Sequence, residues 1–110
     1  MNNTPKETPF YEIYHATCIL AMLHPSPYDW LIDRDKHYQH VATIQTQLGQ
    51  VFAASQHTDG RNWTKRQEIS WVTPNDSPRS TSVGDVIYAP QSQQAWLIGY
   101  TCLQQIVPLD

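Results

Sequence analysis

Apolar and polar positions alternate with a period of two over much of this chain and take up a helical period once. Phe10, Tyr11, Ile13, Tyr14 and Thr17 form an aromatic and β-branched run that predicts a first strand, with Glu12 and His15 on opposite faces. Tyr38 to Thr46 predicts a second, with Tyr38, His40, Ala42 and Ile44 on one side and Gln39, Val41 and Thr43 on the other. Ile69 to Thr73 predicts a short edge strand ended by Pro74. Val83 to Ala89 and Ala95 to Tyr100 predict two more strands around a polar loop, Pro90-Gln91-Ser92-Gln93-Gln94. Trp96, Ile98 and Tyr100 share one face of the second of these, and Gly99 marks a bulge or a close backbone approach. Leu103 to Val107 continues that strand or adds another.

The helical period falls on Leu48, Val51, Phe52 and Ser55, spaced i, i+3, i+4 and i+7, and predicts one main amphipathic helix over residues 46–58. Thr46 is its candidate N-cap and Asp59-Gly60 its stop. Cys18 to Leu23 reads as a short helix ended by Pro25 and Pro27, and residues 28–37 as a connection anchored by Trp30. Residues 61–80 read as irregular, with Trp63 and Trp71 tucked onto the core and turn chemistry at Asn75-Asp76-Ser77-Pro78. The fold class expected is therefore α+β: a small antiparallel sheet of four to six strands packed against that one helix. Residues 9–110 form a single domain behind a flexible N-terminus of residues 1–8.

Composition narrows the function classes. A chain of 110 residues with 40% hydrophobic content and four tryptophans buries a core without metal or disulfide staples. Only 15% of residues are charged and the net charge is −3, so the polar surface is largely neutral and a general electrostatic grip on nucleic acid is not expected. Arg61, Lys65 and Arg66 make a small basic patch beside Trp63, without further cations to extend it into a single-strand binding groove. No apolar run is long enough to cross a membrane and no leader pattern opens the sequence, so the expected location is the cytoplasm, with Cys18 and Cys102 as reduced thiols in apolar, inert settings.

Candidate chemistry concentrates in Arg79-Ser80-Thr81-Ser82-Val83-Gly84-Asp85. In one reading it serves the fold: the hydroxyls bond to backbone, Gly84 takes a conformation other residues resist, Asp85 accepts turn amides and Arg79 pairs with a carboxylate. In the other it is an anion site, where Arg79, Ser80, Thr81, Ser82 and Asp85, with His57 and Trp63 beside them, hold a phosphorylated small molecule or nucleotide. His57 has its own plain role as a cation at a helix C-terminus. His37-x-x-His40 places two imidazoles on opposite faces of a strand, and the paired spacings of a metal site are missing, so neither metal nor cofactor is expected. No nucleophile and base stand in a catalytic spacing, which leaves an enzyme of unknown class as the lowest reading.

Val41-Ala42-Thr43-Ile44 leads into the Val51-Phe52 helix. Gln56-His57-Thr58-Asp59, Trp63, the Arg79–Ile87 block and Gly99-Tyr100 follow in that order. Over residues 38–103 this order resembles the small YodL-like proteins carried by plasmids, integrative elements and phages. The chain departs from that pattern after Trp63, where Thr64 stands in place of a second aromatic. The resemblance implies an accessory role in a mobile element without implying an activity. The expectation is a non-enzymatic binding module that docks on a protein partner, such as a host defence or replication factor. The edge strand at Ile69–Thr73 also leaves room for a homodimer.

Overall fold

A computed structural model describes residues 9–17, 23–56, 69–71, 79–100 and 102–107. Among them are six strands: β1 (Phe10–Ala16), β2 (Tyr38–Gln45), β3 (Ile69–Trp71), β4 (Val86–Ala89), β5 (Gln94–Ile98) and β6 (Leu103–Ile106). Two helices accompany them, α1 (Pro27–His37) and α2 (Leu48–Ala54). The strands form one sheet in the order β3-β2-β1-β4-β5-β6, antiparallel at every pairing. The architecture is α+β, as the alternation predicts, with β1 and β4 at the centre of the sheet and β3 at one edge.

The sheet is buried on both faces, which is why Val86-Ile87-Tyr88-Ala89 is apolar throughout instead of alternating. Ile87 joins Ile13, Ile44, Val51 and Ile98 in one core cluster, against which Leu48 and Ala54 of α2 pack. Val86 joins Ala16, Tyr38, Leu97 and Trp30 of α1 in the other. Trp30 is the anchor there, edge-on to Tyr14 with ring centroids 4.7 Å apart and to Tyr38 at 5.7 Å.

Helix α1 corrects the reading of residues 28–37 as a connection. Its start is well specified: the Ser26 hydroxyl accepts from the Tyr28 amide at 3.2 Å, Pro27 opens the first turn and Asp29 sits within it. Arg34, Lys36 and His37 close the last turn, where cations suit the helix dipole. Asp33 interrupts the run at φ −148°, and Trp30 is its one buried residue, so the helix has no apolar stripe to show in the sequence. Helix α2 ends at Ala54, with Ser55 as its C-cap, short of the span to residue 58 and the Asp59-Gly60 stop expected from sequence. Of the short helix read at Cys18–Leu23, all but Leu23 lies outside the described residues.

Three further differences have local causes. Ile13 pairs with Ala42 but Tyr14 with His40, so Val41 is an extra residue in β2. The bulge puts Val41, Ala42 and Ile44 into the α2-side cluster, while Tyr38 and His40 meet Trp30 and Tyr14 on the other side. The single face predicted for Tyr38, His40, Ala42 and Ile44 is thus divided. Helix α2 starts after Gln47 and not at Thr46, whose hydroxyl instead bonds to the Gln50 side chain at 3.1 Å. Of its predicted stripe Val51 and Ser55 are fully buried, but Phe52 stays 40% exposed. Strand β4 begins at Val86 and not at Val83, because Gly84 turns the chain at φ 95°.

Candidate functional site

Asp85 is the fixed point of the Arg79–Asp85 segment. Its carboxylate is fully buried just ahead of β4 and accepts four hydrogen bonds, all short. Oδ1 takes the Ala16 amide at 2.8 Å and Arg79 Nη2 at 2.7 Å; Oδ2 takes the Ser82 amide at 2.8 Å and Arg79 Nη1 at 2.6 Å. A buried carboxylate is tolerable only when paired and hydrogen-bonded in this way. Arg79 also donates to the Ser80 carbonyl, the Ser82 hydroxyl and the Ala16 carbonyl, at 3.1, 3.2 and 3.3 Å. The guanidinium therefore ties the end of β1 to the lead-in of β4.

Backbone bonds complete the tie. The Thr81 amide donates to the Ser55 carbonyl at the end of α2, and the Gln56 side chain donates to the Thr81 carbonyl. Gly84 donates to Ile98 and its own carbonyl accepts the Tyr38 hydroxyl at 3.1 Å. The lead-in is thus fastened to β1, β2, β5 and the C-terminus of α2 at once.

His15 lies inside this cluster and had no signal in the sequence. Its Nε2 is 3.0 Å from the Thr81 hydroxyl and 3.8 Å from Asp85 Oδ2. Burial pushes its pKa from 6.5 down to about 4; the Asp85 carboxylate opposes that shift and the Arg79 cation adds to it. The ring is neutral at neutral pH, so its approach to Asp85 is polar and not ionic. Thr81 and Asp85 meet the same ring nitrogen and Thr81 is 1% exposed, so these three do not form a nucleophile relay open to a substrate.

The structure brings Arg79, Ser80, Thr81, Ser82 and Asp85 together. Asp85 accepts a turn amide and pairs with Arg79 as the structural reading has it, whereas the Ser82 and Thr81 hydroxyls meet the Arg79 and His15 side chains and not backbone. His57 and Trp63 lie outside the described residues. Ser55, Gln56, Tyr38 and Ala16 belong to the cluster and were not identified as site residues by sequence. Among the described residues no three His, Cys, Asp or Glu side chains converge as metal ligands. His37 and His40 have separate neighbours, Asp29 at 3.9 Å and Glu12 at 4.0 Å. No described helix is long and apolar enough to cross a membrane.

The other side of the same segment borders an apolar groove of about 290 Å³. Phe52 of α2, Val83, Ile98, Tyr100 and Leu103 line it. Its end is shaped at Gly99, whose amide bonds to the Cys102 carbonyl at 3.0 Å and where a Cβ would meet that oxygen at the same distance. That is the close approach the sequence suggested. Tyr100 is 81% exposed, and Cys102 is a free, exposed thiol in the apolar setting expected of it.

Set beside known protein families, curated proteins and solved structures, the chain matches none of them.

Proposed function

We propose that this chain is a non-enzymatic accessory module that docks on a protein partner, in the mobile-element setting that its resemblance to YodL-like proteins implies. The observation that carries the reading is the exposure of Phe52 and Tyr100, which both line the uncharged groove. Aromatic side chains held at the rim of a preformed apolar groove are the usual anchors of a protein interface. The occupant that fits is an uncharged partner segment that inserts an aliphatic or aromatic side chain between them. The polar cluster behind Val83 supports this role from below, because it fixes one wall of the groove. The expectation of a phosphorylated ligand at Arg79 has weaker support, since an incoming anion would have to part a two-pronged ion pair and strand the buried Asp85 carboxylate.

A capture experiment from host lysate tests the proposal when wild type is paired with Tyr100→Ala and Phe52→Ser. The reading expects one dominant partner with wild type, its loss with both variants, and a cross-link from position 100 to that partner. Recovery of the same proteins by wild type and variants, or of none by either, would overturn it.

A further inference from the structure

A second cavity, of about 330 Å³, opens on the α1 side of the sheet, between that helix and the β4–β5 hairpin. Ala95, Ile106, Trp30 and Tyr88 line it. Arg34 stands over these rings, its guanidinium carbon 4.1 Å from the Trp30 centroid and 5.5 Å from that of Tyr88. Gln93, the last residue of the hairpin turn, also lines the cavity, at φ 59° in the left-handed region.

The two described arginines that line these sites are in opposite situations. Arg79 has both terminal nitrogens on Asp85. Arg34 has ring faces for neighbours, and among the described residues its guanidinium meets no carboxylate within 4.0 Å and donates no hydrogen bond. The dipole of α1 accounts for a cation in the last turn. It does not account for a cavity in front of that cation, or for a guanidinium set over ring faces whose fork of donors has no acceptor among the described residues. Aromatic stacking holds the group in place ahead of binding, which lowers the ordering cost of receiving an anion.

We propose that this cavity binds a small planar acid, with its carboxylate or phosphate on Arg34 and its ring over Ala95 and Ile106 beside Tyr88. Gln93 supplies an amide that donates to or accepts from the polar edge of the ring. The volume suits a one- or two-ring molecule. A cationic ligand is excluded by Arg34. This site is separate from the Phe52–Tyr100 groove, so neither reading depends on the other.

Amide and indole NMR titration of the full chain tests it, with indole-3-acetate as the carboxylate probe and adenosine monophosphate as the phosphate probe. Indole-3-acetamide and adenosine serve as their neutral counterparts. The expected result is saturable movement of the Trp30 indole N–H and the Gln93 side-chain amide with one acid, at least about tenfold tighter than with its neutral partner. Which acid saturates tells carboxylate from phosphate. Arg34→Gln should weaken binding by about tenfold or more. Gln93→Glu, on the exposed turn, should do the same by giving Arg34 an internal carboxylate, and it decides the matter if Arg34→Gln does not fold. The proposal is overturned if neither acid moves these resonances at millimolar concentration, if acid and neutral partner bind alike, or if the folded variants bind as wild type does.

Discussion

Arg79 holds Asp85 in a two-pronged grip, Nη1 to Oδ2 at 2.6 Å and Nη2 to Oδ1 at 2.7 Å, with the carboxylate fully buried. The planar fork of a guanidinium matches a carboxylate in a way an ammonium does not. Asp85→Asn should therefore lower stability by about 3 kcal/mol, since it breaks the pair and presents amide hydrogens to donors. Arg79→Lys should cost less, about 1–2 kcal/mol, because the Arg79 side chain is 35% exposed and solvent tempers the loss. Urea denaturation of the two variants checks the order of the two effects.

The buried His15 ring makes the fold sensitive to acid. Its pKa of about 4 in the fold lies below the ordinary 6.5, so between those values the unfolded chain binds a proton that the folded chain refuses. Its contribution is whole above pH 6.5 and is lost as pH falls towards 4. From pH 7 to pH 5 the loss assignable to this ring should be about 2 kcal/mol. His15→Gln should remove that part of the pH dependence, seen as a flatter stability profile over the same interval. Equal slopes for wild type and variant would contradict the assignment.

Gly84 turns the chain at φ 95°, a region that side chains with a Cβ rarely enter. Gly84→Ala should destabilise by about 1–2 kcal/mol, through strain in the fold together with a stiffer unfolded chain that partly offsets it. A thermal melt reads this as a lower Tm. An unchanged Tm would mean that the turn relaxes without disturbing the bond from the Gly84 amide to Ile98.

How much of this was legible in sequence depended on how far apart the interacting residues stand. The aromatic and β-branched runs located β1, β2 and β5 well, although strict alternation does not hold through the β2 bulge. The α1 helix left little trace in periodicity, since only Trp30 is buried; its signals were the Ser26 cap, Pro27 and the charged ends. The Val41 bulge leaves no mark in composition, yet it decides which face His40 and Ala42 occupy. The Arg79–Asp85 block showed its structural chemistry locally, because both partners lie within one turn of chain. His15 and Thr81, 66 positions apart, are brought together only by sheet pairing. Phe52 sat on the helical stripe but lies at its rim, which periodicity alone does not separate from its centre.

The groove gives a prediction that needs no partner in hand. Tyr100→Ala touches an 81% exposed position and should leave stability within about 0.5 kcal/mol of wild type, while Phe52→Ser, at 40% exposure, should cost about 1–2 kcal/mol and still fold. Cys102 is free and exposed at the same groove, so a maleimide should modify it in the native chain, as peptide mapping would show. Bound partner should slow that modification. Native resistance at Cys102 would contradict the groove's exposure.

A double-mutant cycle on Arg79→Ala and Asp85→Asn, followed by urea denaturation with and without inorganic phosphate, tests most directly whether this cluster fastens the fold. If it does, the coupling energy is about 2 kcal/mol or more and phosphate leaves the wild-type stability unchanged. Coupling near zero, or stabilisation of the wild type by phosphate that Arg79→Ala abolishes, would contradict it.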